Sequence, residues 1–195
     1  VRSSAASDVY KRQMEKAVNL LQKAIDAGET IAIASDFDVD GIFSSMVLHT
    51  AFQRVGAKCF VETPNRVTEG YGLNRRIVDD SLQKGAKLLI TCDNGIAALD
   101  AVQYAKDKGL TVIVTDHHEV PFEEQEDGSR NFVKPVADAI VNPKQKECQY
   151  PFPKLCGAGV AFKLAQVLYQ RYGVTVEEQR QLIEYTAIAL SLIHI

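Results

Sequence analysis

The sequence predicts an α/β fold, a parallel β-sheet of about five strands flanked by helices on both faces. Three observations carry this reading. Helical and extended segments alternate along the chain, the extended ones are continuous apolar runs, and glycine follows the helices as a stop signal. Strands apolar on both sides belong in a parallel sheet covered above and below by helices.

Met14, Ala17, Val18, Leu21 and Ile25 fall at helical spacing ahead of Gly28. Residues 30–34 are apolar and too short for a helix, so they read as a buried strand. Residues 42–55, apolar nearly all round and closed by Gly56, read as a buried helix; residues 58–62 read as the second strand. A helix over 73–83 stops at Gly85 and leads into a third strand at 87–91. A helix over 97–108 stops at Gly109 and leads into a fourth at 110–114. Residues 138–141 make a fifth. Two helices close the chain, one carrying Val160, Leu164, Val167 and Leu168, the other running from about Val176. The acidic run at 123–128 reads as a solvated surface turn. Residues 1–12 and 191–195 resemble translated adapter sequence and are expected to be non-native or disordered tails. That leaves one domain over 13–190, expected to be incomplete at its C-terminus.

With 195 residues, 46% of them hydrophobic, the chain can bury a self-sufficient core and needs neither disulfides nor a structural metal to fold. Cys59, Cys92, Cys148 and Cys156 form no CxxC pair, which excludes a zinc ribbon or redox motif and suits reduced thiols in a cytosolic protein. No stretch approaches the roughly 20 apolar residues of a membrane span, and no secretory stretch opens the chain. No membrane partner is expected. The net charge of -3 argues against a purely electrostatic nucleic-acid binder. It leaves room for an enzyme that meets phosphates through bound cations.

In sheets of this kind ligands bind beyond the carboxyl ends of the strands, and the unusual polar residues stand there. After the first strand come Asp36, Asp38 and Asp40, which in extended chain point to one side about 6–7 Å apart. Carboxylates that close repel one another, and cations are the usual remedy. An EF-hand loop would match at Gly41, in its sixth position, but has Val47 where its Glu belongs, so a calcium loop is excluded. Alone, the triplet is better explained as surface acids before a helix N-terminus. It does not stand alone. Asp93 and Asn94 follow the third strand, and Asp116, His117 and His118 follow the fourth. Hard oxygen donors with one or two imidazoles suit Mn²⁺ or Mg²⁺. There are enough carboxylates for one to bridge two ions about 3.5–4 Å apart, the arrangement for in-line attack on phosphorus.

The other candidates concern a phosphate-bearing substrate. Arg66 lies just past the second strand, placed for bidentate phosphate contact or simply in a surface loop. Tyr71, between Gly70 and Gly72, is placed to stack on a base or to pack. Gly157 and Gly159 open a helix whose free N–H groups suit an anion, with close helix–sheet packing as the alternative. Lys163, one turn further on, is within reach of the same phosphate.

These motifs resemble the first three of the DHH phosphoesterase superfamily, closest to its branch of bacterial single-strand-specific 5′→3′ exonucleases. Supporting stretches are Pro-Asn-Arg at 64–66, Glu-Gly-Tyr-Gly-Leu at 69–73, Val-Asn-Pro-Lys at 141–144, Tyr-Pro-Phe at 150–152 and Gly-Ala-Gly-Val-Ala-Phe-Lys at 157–163. The resemblance runs from about residue 23 to 189, in the family's motif order. It implies Asp38 and Asp40 as metal ligands, Asp93 as the bridging ligand and His117 as a further ligand. His118 would contact the scissile phosphate, with Asp36 and Asp116 completing or orienting the shell. It also implies two Mn²⁺ or Mg²⁺ ions, single-stranded DNA as partner, mononucleotide release in DNA repair and recombination, and a bacterial cytoplasmic setting. A single-strand-binding protein or a helicase would be met through regions outside this chain. The family's fourth motif, a further metal-binding Asp after the helix that residues 184–189 resemble, has no counterpart in 190–195, so a weakened metal site is expected. Two rivals remain. Hydrolysis of small dinucleotides is disfavoured because no His stands among residues 31–35. A non-catalytic structural role is disfavoured by the three intact motifs.

Overall fold

The computed structural model describes residues 5–146, 148, 150, 152 and 154–194. The elements in chain order are α1 (Ala5–Asp26), β1 (Thr30–Ser35), α2 (Val39–Arg54), β2 (Lys58–Glu62), α3 (Arg75–Gln83), β3 (Ala86–Cys92), α4 (Leu99–Asp107) and β4 (Thr111–Thr115). They continue with β5 (Phe122–Glu124), β6 (Arg130–Phe132), β7 (Ala139–Val141), α5 (Gly157–Arg171), a 3₁₀ turn (Glu177–Gln179) and α6 (Arg180–His194). Five strands form one sheet in the order β2-β1-β3-β4-β7, every neighbouring pair parallel. This is the predicted α/β architecture.

Alternate strand residues face opposite layers. Ile31, Ile33, Leu88 and Ile90 pack with Leu21 of α1, Leu48 and Phe52 of α2, and Val160, Leu164 and Leu168 of α5. Leu182 of α6 joins the same layer. Ala32, Ala34, Leu89, Val112 and Val114 face the other way, onto Ile77 and Val78 of α3 and Ala101, Val102 and Ala105 of α4. Each fully buried Leu or Ile of this kind stabilises by about 1.5–3 kcal/mol. No helix among the described residues is long and apolar enough to cross a membrane. The four cysteines are reduced thiols.

Where boundaries differ from the apolar pattern, capping explains it. Asp38 caps α2, its Oδ1 accepting from Gly41 N at 2.9 Å, so the helix starts at Val39 rather than 42. Asn74 caps α3 in the same way, accepting from Ile77 N at 3.1 Å, so that helix starts at Arg75 rather than 73. The acidic run is not wholly turn: β5 and β6 pair antiparallel, leaving 125–129 as the connection. Phe122 and Phe132 meet across this hairpin at 5.9 Å, and the Arg130 guanidinium lies 4.3 Å from the Phe122 ring. Such short strands have no apolar alternation to announce them. Of the two segments set apart as tails, residues 5–12 belong to α1 and 191–194 to α6. Residues 1–4 and 195 lie outside the described residues, as does Pro151 of the Tyr-Pro-Phe stretch.

The register decides what the sheet can do. Ser35 pairs with Cys92, and Cys92 with Thr115. The next residue on each of these three adjacent strands is an aspartate, so Asp36, Asp93 and Asp116 stand side by side, one strand spacing of about 4.8 Å apart.

Candidate metal centre

The tip of β3 is held in a conformation that few residues adopt. Asp93 has φ 63°, the one positive value among the described non-glycine residues. Asp tolerates this left-handed region better than most side chains. Thr91 fixes the turn: its hydroxyl donates to Asn94 O at 2.7 Å and accepts from Thr115 N at 3.2 Å. Asn94, buried, donates to Ala34 O at 3.1 Å and Cys92 O at 2.9 Å and accepts from Leu73 N at 3.2 Å. It locks the ends of β1 and β3 together and ties both to the loop before α3.

Asp93 therefore projects between two groups of polar side chains. On one side, His117 Nε2 lies 3.0 Å from Asp93 Oδ1 and 3.5 Å from Asp40 Oδ2. On the other, Asp93 lines a cavity of about 420 Å³ together with Asp36, Asp38, Tyr71, Asp116 and His118. Asp93, His117 and His118 each offer a ligand atom within 4.8 Å of the others'. The crowding shows in the protonation balance. Burial first, then the charges of Asp40 and Asp38, pushes the Asp93 carboxyl far above its ordinary range. Burial raises Asp36 too, with Asp38 adding to it.

Asp116 is different. Its Oδ1 accepts from His117 N at 2.7 Å, His118 N at 3.1 Å and His118 Nδ1 at 2.7 Å, and its Oδ2 from Ile96 N at 2.9 Å. Burial opposes its charge, but the bonds from His118 and the amides outweigh it and hold the carboxyl below its ordinary range. In return the Asp116 bond raises His118. Both Asp116 oxygens are thus taken up in bonding the His118 ring and the backbone of Ile96, His117 and His118. A further backbone contact missed by sequence reasoning steadies this loop: the buried Asn142 donates to His118 O at 2.9 Å.

The donor set fits a hard divalent cation. Carboxylate oxygens and imidazole nitrogen are the ligands of Mn²⁺ and Mg²⁺ sites. Asp93 Oδ1 is buried and lacks a hydrogen-bond partner, its contact with His117 not being aligned as one. A buried charged oxygen left in that state is costly unless something positive meets it.

The chain matches the DHH family, N-terminal domain, over residues 30–191. It belongs to the DHH family. Among curated relatives, the single-stranded-DNA-specific exonuclease RecJ of Bacillus subtilis (strain 168) is 42% identical over 155 residues, 80% of this chain and 18% of that protein. RecJ of Escherichia coli (strain K12) is 38% identical over 156 residues, 80% of this chain and 25% of that protein. The chain therefore spans about a fifth to a quarter of the length of these relatives. Among solved structures, exonuclease RecJ bound to manganese superposes with a TM-score of 0.75 at 28% identity, covering 91% of this chain and 42% of that one. RecJ from Thermus thermophilus in complex with Mn²⁺ gives 0.70 at 25% identity, covering 91% of this chain and 23% of that one.

Within the DHH domain the basic and glycine candidates divide. Tyr71 lines the cavity from the loop between β2 and α3, and Arg66 of the same loop stands beside Phe37 without lining it. Tyr71 is 72% exposed and sits 4.4 Å, ring to ring, from Phe37, with the Arg66 guanidinium 5.7 Å from the same Phe37 ring. The expectation that Gly157 and Gly159 bind a substrate anion is corrected. Gly157 N and Ala158 N already donate to Asp40, at 2.6 and 2.9 Å, and Gly159 N is taken by Cys156 Sγ at 3.4 Å. The anion at this helix N-terminus is the protein's own carboxylate. The Lys163 ammonium bonds Gln166 Oε1 at 3.3 Å and lies 5.9 Å from the Phe162 ring, and Lys163 does not line the cavity.

The loop between β2 and α3 is tied down by contacts that have no sequence signal. Arg76 of α3 donates to both oxygens of Glu69, to Thr63 O at 2.9 Å and to Asp80 Oδ2 at 2.6 Å. Glu69 also accepts from Asn65 N at 2.6 Å, which closes the segment carrying Arg66. Arg76→Ala frees that segment without touching the acids at the strand tips. In the full-length protein KM for an oligonucleotide is expected to rise about tenfold, the ordering cost then falling on binding, while Mn²⁺ affinity stays at the wild-type value. An unchanged KM would mean the loop holds itself.

Proposed function

We propose that this DHH domain is the catalytic N-terminal part of a metal-dependent phosphodiesterase that degrades single-stranded DNA from its 5′ end to mononucleotides. The observation that carries the reading is the meeting of Asp36, Asp93 and Asp116 on three adjacent strand tips, with Asp38, Asp40, His117 and His118 around an unpaired Asp93 oxygen. The likeness to single-stranded-DNA-specific exonucleases supports the substrate and the exonuclease activity; the polarity and a role in DNA repair and recombination belong to the same reading. Solved RecJ structures with manganese support the choice of ion.

Asp93 faces Asp40 and His117 on one side and Asp36, Asp38 and His118 on the other, so it could serve two ions. Divalent ions held there would supply Lewis acidity and an activated water for attack on phosphorus. The chain's own residues do the rest. Asp38, Asp40, Asp93 and His117 hold the ions, with Asp36 completing the shell from the cavity side. Asp116 orients the His118 ring, which would donate toward the phosphoryl oxygens, and Arg66 offers a cationic donor. Tyr71, exposed over Phe37, offers a face to a base. A bacterial cytoplasmic setting, and contact with a single-strand-binding protein or helicase through other regions, belong to the same reading.

The test is hydrolysis by the full-length protein in Mn²⁺, with a 5′-phosphorylated single strand, a duplex and a dinucleotide as substrates. Mononucleotides from the single strand alone are expected, and a chelator should stop their release. Turnover of the dinucleotide alone would assign the domain to small phosphates. Metal binding with no turnover of any of the three would make it a structural relative.

A further inference from the structure

The first turn of α5 touches two of the proposed metal ligands at once. Gly157 N and Ala158 N donate to the two oxygens of Asp40 across 117 and 118 residues of sequence, in buried surroundings. This is possible because Cys156, the residue capping α5, takes the next amide, that of Gly159. At the same point Gly157 packs against Asp93. A Cβ built there would collide with Asp93 Oδ1 and lie 2.6 Å from Asp93 Cβ and Cγ. Contacts that short do not occur between real atoms, so something would have to move. The helix is poorly placed to be what moves, because Val160, Ala161, Leu164, Ala165 and Leu168 are buried against the sheet and α2. Asp93 would give way instead. The oxygen nearest that Cβ is the buried one that lacks a hydrogen-bond partner.

We infer that Gly157 is a positioning residue of the metal centre: its N–H fixes Asp40, and its missing side chain keeps Asp93 Oδ1 open to a cation. The inference rests on the metal-centre reading proposed above. It turns the glycine pair from a phosphate cradle into a support for the carboxylates. Oriented ligands bind metal more tightly because their ordering cost is already met, and the two amides of the helix hold both Asp40 oxygens in place.

The experiment compares Gly157→Ala with Gly159→Ala in the full-length protein, with Mn²⁺ affinity read by the electron paramagnetic resonance of the free ion. At position 159 an added Cβ meets the flexible end of Leu155, at 3.0 Å, and no carboxylate. The expected result is a rise in dissociation constant of about 10- to 100-fold for Gly157→Ala, the usual range for losing a supporting contact to a metal ligand. Gly159→Ala should bind as wild type does. Equal binding by a folded Gly157→Ala would overturn the inference, whereas failure of the wild type to bind Mn²⁺ would overturn the metal-centre reading beneath it. A second measurement needs no variant. Amide hydrogen exchange over the first turn of α5 should slow on adding Mg²⁺ to the wild type, while the first turn of α4 stays unchanged. If the α5 turn exchanges at the same rate with and without Mg²⁺, Asp40 and the helix are not acting as one unit and the inference fails.

Discussion

Asp93→Ala is expected to cut hydrolysis by the full-length protein about a hundredfold or more, the loss of a central ligand exceeding that of a supporting contact. A variant keeping a tenth of wild-type turnover with its metals bound would remove Asp93 from the bridging role. The more informative companion is Asp93→Asn, because it separates charge from shape. In the metal-free protein the carboxyl is pushed up to about 9 by burial and by the charges of Asp40 and Asp38, from an ordinary value of 3.8. Between those values the folded state binds a proton that the unfolded state has lost, so stability falls as pH rises toward about 9. Metal-free Asp93→Asn should therefore unfold at a higher temperature than wild type near the top of that range and vary less with pH. Adding Mn²⁺ should reverse the ranking, since only the wild type gains a ligand bound to its folded state. Thermal unfolding with and without chelator, over a pH series, reads both effects. A wild type that shows no pH dependence beyond that of Asp93→Asn would mean the carboxylate is not penalised as described.

The second large effect is expected at Asp116. Removing its carboxylate leaves the amides of Ile96, His117 and His118 without their acceptor in buried or half-buried surroundings. With about 1–3 kcal/mol for each buried donor left unmade, Asp116→Ala should lose at least about 3 kcal/mol of stability in denaturant unfolding. Asp116→Asn keeps the shape and removes the charge. His118, now raised chiefly by its bond to Asp116, should then give up its proton at lower pH, which NMR titration of its ring would show. A wild-type His118 titration in that variant would mean that another group holds the proton.

Much of the fold can be read because its strands are buried on both faces. Runs such as Ile31-Ala32-Ile33-Ala34 and Leu88-Leu89-Ile90 have no other environment to suit them, and the acids that follow them mark the strand ends. The hairpin of β5 and β6 is invisible because Phe-Glu-Glu and Arg-Asn-Phe carry almost no pattern, and their pairing rests on two exposed rings. The site is legible as a set of donors but not as a division of labour. Nothing local distinguishes Asp40, held by α5, from Asp38, which caps its own helix. The distinction arises from a contact 117 residues away. The roles of Asn94 and Asn142 are hidden for a related reason: each satisfies backbone groups contributed by more than one segment, and a lone Asn after a strand usually marks only a turn. Gly157 stands out in the sequence, but nothing near it tells an external phosphate from the internal carboxylate that holds its amide.

The parallel order of the sheet has a consequence for synthesis. No two neighbouring strands in it are joined by a hairpin, so none of the donors at β1, β3 and β4 is brought to the next by a local turn. A nascent chain that has reached residue 118 holds Asp36, Asp38, Asp40, Asp93, Asp116 and both histidines, yet lacks the helix whose first turn fixes Asp40. Prematurely terminated translation products that end before residue 157 thus carry the chemistry without its geometry. In the proposed nuclease the support of Asp40 is therefore complete only after α5 has been made.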